Sequence, residues 1–237
     1  MENRDPRTVP DFTSRQSRVQ WLCALLWLPV HMFALPWLLL RLFPQLGDTQ
    51  LNLAVYLVGA AWMLATQFRF LRRDFDPLLD RFPRVVLEIA VSYGAMLLLN
   101  IAVGAVLTLV SGQVENPNNA AVVDMSFSDS GPITALVVFL APLVEECMFR
   151  AGIFGALRRK SRLAAYLACM LLFGLYHVVG YAIFDPGAWI YVLQYLPIGF
   201  LLCRLYERTN TLWAPMLLHA LVNFLSLGAL RMLEQVL

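Results

Sequence analysis

Charge is what this sequence has least of: 14% of its 237 residues are Asp, Glu, Lys or Arg, while 59% are hydrophobic. Soluble domains carry roughly 25% charged residues, so this composition, with a mean hydropathy of +0.65, reads as a polytopic integral membrane protein of the all-α class. A net charge of +2 is too small to mark a nucleic-acid partner. Lysine is nearly missing, Lys160 being the only one, and an arginine-biased chain suits a GC-rich bacterial genome. Cysteine is present but unpaired by pattern: Cys23, Cys147, Cys169 and Cys203 lie in apolar runs without a CxxC, which excludes a zinc knuckle or disulfide framework and leaves buried small hydrophobes. Gly-x-Ser-x-Gly and HExxH are both lacking, so neither a serine nucleophile elbow nor a zincin helix is indicated.

What is there is a series of long apolar runs. About 20 helical residues cross a bilayer core, and seven stretches qualify: 21–43, 51–68, 85–110, 133–157, 163–179, 189–205 and 212–230. They make one membrane domain over 1–237 with a polar tail at 1–20, and the first run reads as a retained signal anchor because it is too long for a signal-peptide core. Cytoplasmic loops collect positive charge. With the N-terminus cytoplasmic, Arg4, Arg7, Arg15 and Arg18, Arg69 to Arg84, Arg158 to Arg162, and Arg204 and Arg208 fall inside, and only Arg41 and Arg231 fall outside. Seven spans then put the C-terminus outside. The polar connection 111–132, with Glu115, Asp124, Asp129 and the turn-prone "ENPNN", is expected to be an outer surface loop carrying a short helix in its second half. Prolines at 29, 36, 142, 197 and 215 are expected to kink spans and free backbone carbonyls.

The stretch "APLVEECMFRAG" places Glu145, Glu146 and Arg150 inside the fourth run. Unpaired, three charges at mid-membrane cost on the order of 8 to 10 kcal/mol. Glu146 and Arg150 are four apart and share a helical face. Glu145 points about 100° away and needs a partner from another helix, a proton or a wet cavity. Candidate partners are "FGLYH" in the fifth run, with Phe173 and His177 on one face, and "HALVN" in the seventh, with His219 and Asn223. Counted from the span ends, Glu145 and His177 lie about 18 and 21 Å deep and His219 only about 10 Å, so one cluster requires shifted boundaries or tilt. Read the other way, the fourth span ends at Val144 and the charges face water on an interfacial helix; the nearly apolar stretch 147–157 favours embedding. His31, Asn100 and Glu88 lack such company and read as structural.

A carboxylate beside histidines, shielded from bulk water, is suited to activating water, and an amide paired with a histidine can donate to a developing oxyanion. Together these parts describe peptide-bond hydrolysis without a covalent intermediate. Metal is the open alternative, since Glu145, His177 and His219 would make a two-histidine, one-carboxylate zinc set.

The three motifs, "EECMFR", "FGLYH" and "HALVN", resemble in order those of the CAAX prenyl protease and bacteriocin-processing family of intramembrane peptidases, over about residues 133–230. The resemblance implies that Glu145 activates the water with help from His177, that His219 and Asn223 form the oxyanion site, and that Glu146, Arg150 and Phe173 support them. It further implies a site open toward membrane and cytoplasm, a peptide or protein substrate cut near an apolar or lipidated segment, membrane lipid as surroundings, and no required cofactor, with zinc the disputed exception. Residence in a bacterial inner membrane follows from the same likeness. Two other classes fit the composition. A non-enzymatic immunity or scaffold protein would keep working with Gln at position 145. An ion or proton carrier would need a polar path to the outer face, where Asn100 is the clear candidate.

Overall fold

The computed structural model describes residues 12–111, 116–128 and 130–234, and all of the regular structure within them is helical. Eight helices follow in chain order: α1 Arg18–Leu42, α2 Asp48–Asp80, α3 Phe82–Ser111, α4 Pro117–Ser128, α5 Ser130–Arg158, α6 Arg162–Ala182, α7 Pro186–Thr209 and α8 Trp213–Glu234. Six of them are long and apolar enough to cross a membrane, and α8 contributes a shorter apolar stretch, Trp213–Ala229. The chain is therefore an integral membrane bundle, and the six long helices together with the shorter α8 stretch correspond to the seven expected apolar runs. Apolar side chains face outward over much of the surface, Leu109 on α3 being 86% exposed, as a lipid-facing helix requires and a soluble one avoids. Arg4, Arg7, Glu115 and Asp129 lie outside the described residues.

Local chemistry sets the helix ends. Ser17 and Gln20 form a reciprocal capping box at the start of α1. Ser161 caps α6 by accepting from the Ala164 amide, and Asp185 does the same for the 3-10 turn Pro186–Tyr191 that opens α7. Asn210 ends α7 in the left-handed region at φ 53°, a conformation in which asparagine is among the residues tolerated. The expected arginine-rich connection 69–84 is not a loop: α2 runs on to Asp80 and α3 starts at Phe82. The expected connection 111–132 carries the short helix foreseen in it, α4, which begins earlier than the second half.

Centrality decides where a site can be sheltered. Of the six long helices, α5 is the most buried along its apolar stretch and α3 the least. Helix α5 packs against α1, α2, α6, α7 and α8 together. Helices α6 and α7 approach closely at two glycines, since a Cβ on Gly174 would meet Val192 Cγ1 at 2.9 Å and one on Gly199 would meet Met170 Cα at 3.3 Å.

The turn between α7 and α8 explains how His219 reaches the depth of Glu145. Thr211 and Leu212 are buried and are tied to α2: the Thr211 hydroxyl donates to Asp74 O at 2.6 Å, the Leu212 amide donates to Asp74 Oδ2, and Trp213 Nε1 donates to Leu71 O at 2.9 Å. Arg15 pairs with Asp74 Oδ1 at 2.9 Å. Because α2 extends past the expected end of its span and holds this turn inside the bundle, α8 begins below the surface. Counting depth from the end of the apolar run therefore placed His219 too shallow.

Candidate active site

Proline shapes α5. A π-helical segment, Leu136–Leu140, precedes Pro142, and the Ala141 amide donates five residues back to Leu136 O. Pro142 has no N–H, so Val137 O is left for an outside donor, and Asn223 Nδ2 on α8 fills that role at 2.8 Å. A second π segment, Cys147–Phe154, exposes further carbonyls across helices: Gly152 O accepts from Trp21 Nε1 at 2.9 Å and Phe149 O from Cys169 Sγ at 3.4 Å. Such wide turns inside α-helices recur at functional sites. Here they flank Glu145 on both sides.

The wet interfacial reading of this stretch does not hold, because Glu145 is 2% exposed and Glu146 and Arg150 are fully buried. Arg150 donates to Glu146 Oε1 at 3.1 Å, the pair expected from their spacing. Its guanidinium also lies 4.2 Å from the Phe173 ring centroid. That ring in turn packs on His177 and His219, with centroids at 4.5 and 5.9 Å, which accounts physically for a phenylalanine four residues before His177. Glu146 has a second task that spacing did not reveal, since His219 Nδ1 sits 2.8 Å from the same Oε1.

Hydrogen-bond partners fix how the imidazoles face. His177 Nδ1 is 2.8 Å from Phe173 O, and a carbonyl only accepts, so Nδ1 carries a proton. His219 Nδ1 likewise donates to the Glu146 carboxylate. Both Nε2 atoms then turn to Glu145 Oε2, at 3.7 Å from His177 and 3.8 Å from His219. That oxygen is buried without a protein hydrogen-bond partner, an arrangement costly in a structural core. The other oxygen, Oε1, accepts from the Tyr56 hydroxyl at 2.7 Å.

Tyr56 opens a chain that the sequence did not disclose. Its hydroxyl lies 2.8 Å from that of Tyr176, which lies 3.0 Å from His31 Nε2. His31, read as structural, is a hydrogen-bonded core histidine, and it also belongs to the wall of the site. Tyr195 stacks on His177 with centroids 4.4 Å apart and planes at 18°. No motif marks Tyr56 or His31; for Tyr176, its place directly before His177 was the available signal. Glu88 is structural as expected, accepting from Arg208 in a bidentate pair.

These side chains line a cavity of about 440 Å³ whose walls include Glu145, His177, His219 and Asn223, within the size range of ligand pockets. Most of its remaining wall is apolar, with Val122 and Met125 of α4 among it. A second cavity of about 290 Å³ shares His177, Tyr195, His219 and Asn223 and is lined by the carboxamides Asn100, Asn116, Asn119 and Gln194. Asn100, read as structural, thus faces a cavity. The expected zinc set is brought together only as a loose triangle. Among the described residues no group of three or more His, Cys, Asp or Glu is arranged to hold a metal ion.

Residues 128–225 match the family model described as Type II CAAX prenyl endopeptidase Rce1-like. The chain is 32% identical over 111 residues to the protein of Bacillus subtilis (strain 168) named "Putative membrane peptidase YdiL", covering 46% of this chain and 41% of that one. It is also 32% identical over 95 residues to "UPF0177 protein YxdF" of Lactococcus lactis subsp. lactis (strain IL1403), covering 40% and 48%. The matched stretch thus spans less than half the length of these relatives. No solved structure matches the chain. The family match takes in all three motifs and bears out the resemblance drawn from them.

Proposed function

We propose that the chain is an intramembrane endopeptidase that hydrolyses a peptide bond with a glutamate-activated water. The observation that supports this most is the convergence of Glu145 Oε2 with the Nε2 atoms of His177 and His219, 3.7 and 3.8 Å away, in a sheltered cavity. Those separations are too long for direct hydrogen bonds and suit one bridging water.

In this reading Tyr56 holds Oε1, so that Oε2 faces the cavity and takes a proton from the water as its oxygen attacks the carbonyl carbon. His177 Nε2 accepts from the same water and orients it. The developing oxyanion receives a hydrogen bond from His219 Nε2–H, whose charge is balanced from behind by Glu146 at Nδ1, and from the second N–H of Asn223 Nδ2, the first being spent on Val137 O. Collapse of the tetrahedral adduct breaks the C–N bond, and Glu145 passes its proton to the departing nitrogen. The products are one carboxylate and one amine.

The two cavities meet at these groups, so the scissile bond has an apolar or lipidated segment on one side and an uncharged polar stretch against the carboxamides on the other. The orientation with the N-terminus cytoplasmic and the C-terminus outside, in a bacterial inner membrane, completes the proposal. The test is to compare cells producing the wild-type chain, Glu145→Ala or His219→Ala by profiling new peptide ends in membrane fractions. Cleavage products present only with wild type are expected, with all three proteins inserted equally. Products persisting in both variants would refute the mechanism.

A further inference from the structure

Away from the catalytic cavity, at the end of the bundle where α5, α6 and α7 meet water, lies a groove lined by Arg158, Arg162, Arg204 and Arg208 above Leu163, Leu167, Met170 and Phe200. Arg158 is 13 residues beyond Glu145 on α5, which puts the groove about 20 Å from the site.

The charges are layered. Two carboxylates lie underneath and nearly buried, Glu207 at 8% and Glu88 at 12% exposure, while the arginines above them are 29% to 67% exposed. Glu207 accepts from Arg158 Nε, from Arg162 Nε and NH2, and from the Tyr166 hydroxyl. Glu88 accepts from Arg208 Nε and NH2 and lies 3.6 Å from Arg204 NH1. Four cations over two anions leave a surplus of two positive charges, and each arginine keeps N–H groups that these carboxylates do not use. The nearly buried acids hold the guanidinium groups in place. Although Glu207 and Tyr166 also line the groove, their polar atoms are engaged by one another and by Arg158 and Arg162, so the arginine N–H groups left over are the donors a ligand meets. Toward the middle of α6 and α7 the wall turns apolar, with Leu167, Met170 and Phe200.

We propose that this groove is a binding site for an anionic phospholipid, its phosphate on the arginine rim and an acyl chain along Leu163, Leu167, Met170 and Phe200. A rigid guanidinium fork matches phosphate oxygens pairwise, and basic pockets between helices at a membrane surface recognise anionic headgroups. A zwitterionic lipid brings a choline that the same rim repels.

The test uses the full-length protein in detergent micelles, with retention of phosphatidylglycerol or phosphatidylcholine read by native mass spectrometry. The variant is Arg162→Gln with Arg204→Gln, which leaves Glu207 paired with Arg158 and Glu88 with Arg208, so folding is kept; circular dichroism verifies it. Wild type should retain phosphatidylglycerol and not phosphatidylcholine, and the double variant should bind phosphatidylglycerol about thirtyfold more weakly, two arginines lost. Equal retention of both lipids by wild type, or unchanged phosphatidylglycerol binding by the variant, would overturn the proposal. So would displacement of the lipid by an equal concentration of inorganic phosphate, because the site would then be a phosphate site without an acyl groove.

Discussion

Glu145 and Glu207 are both nearly buried carboxylates on membrane-spanning helices, yet their surroundings differ in kind. Glu207 accepts from two arginines and a tyrosine, with both oxygens engaged. Glu145 has one tyrosine on Oε1 and no protein hydrogen-bond partner on Oε2, which faces two imidazoles and a cavity. A buried acid with both oxygens engaged ties helices together, whereas in the proposed function the half-satisfied Glu145, its free oxygen turned to a cavity, is the one that activates water. Glu146 is intermediate: its Oε2 also has no protein hydrogen-bond partner, but it does not line the cavity. It anchors Arg150 through Oε1 and orients His219 through the same atom.

The sharpest test of this contrast is Glu145→Gln. The amide oxygen still accepts from Tyr56, but no base remains, so cleavage should fall by roughly a hundredfold to ten-thousandfold while the melting temperature holds. A large loss of stability would mean that Glu145 is structural after all. Glu146→Ala should do the reverse and more: Arg150 stays buried without its anion, at a cost of about 3 to 5 kcal/mol, read as a collapse in yield and melting temperature. Wild-type melting of that variant would break the supporting role. Glu207→Gln should cost less, about 1 to 3 kcal/mol for the lost charged hydrogen bonds, because Arg158 and Arg162 can turn to water. Activity per folded molecule should be unchanged, and a catalytic defect at constant stability would erase the distinction between the two acids. Tyr56→Phe should give the smallest effect, roughly a tenfold drop in kcat for one lost orienting hydrogen bond, with KM held. An unchanged kcat would remove Tyr56 from the site.

Much of the site was legible because intramembrane charge is rare and each exception demands a reason. The four-residue spacings paired Glu146 with Arg150 and put Phe173 on the face of His177, and the geometry agrees with both. Tyr56 and His31 were not legible. A tyrosine or a lone histidine in an apolar run carries no electrostatic penalty to signal it, and Tyr56 meets Glu145 across 89 residues of chain. The second task of Glu146 stayed hidden for a related reason, since one oxygen shared between an intrahelical and an interhelical partner leaves no trace in periodicity.

Composition by itself determined a helical membrane bundle, since so apolar a chain can meet its backbone hydrogen bonds within lipid only by coiling. The motifs by themselves named the acids, imidazoles and amide that a site would use. Tertiary structure decided whether those groups could meet. Burial of the α7–α8 turn under Asp74 set the depth of His219, and the carbonyl released by Pro142 gave Asn223 its anchor. Both depend on contacts between helices distant in sequence, which spacing along one helix does not encode.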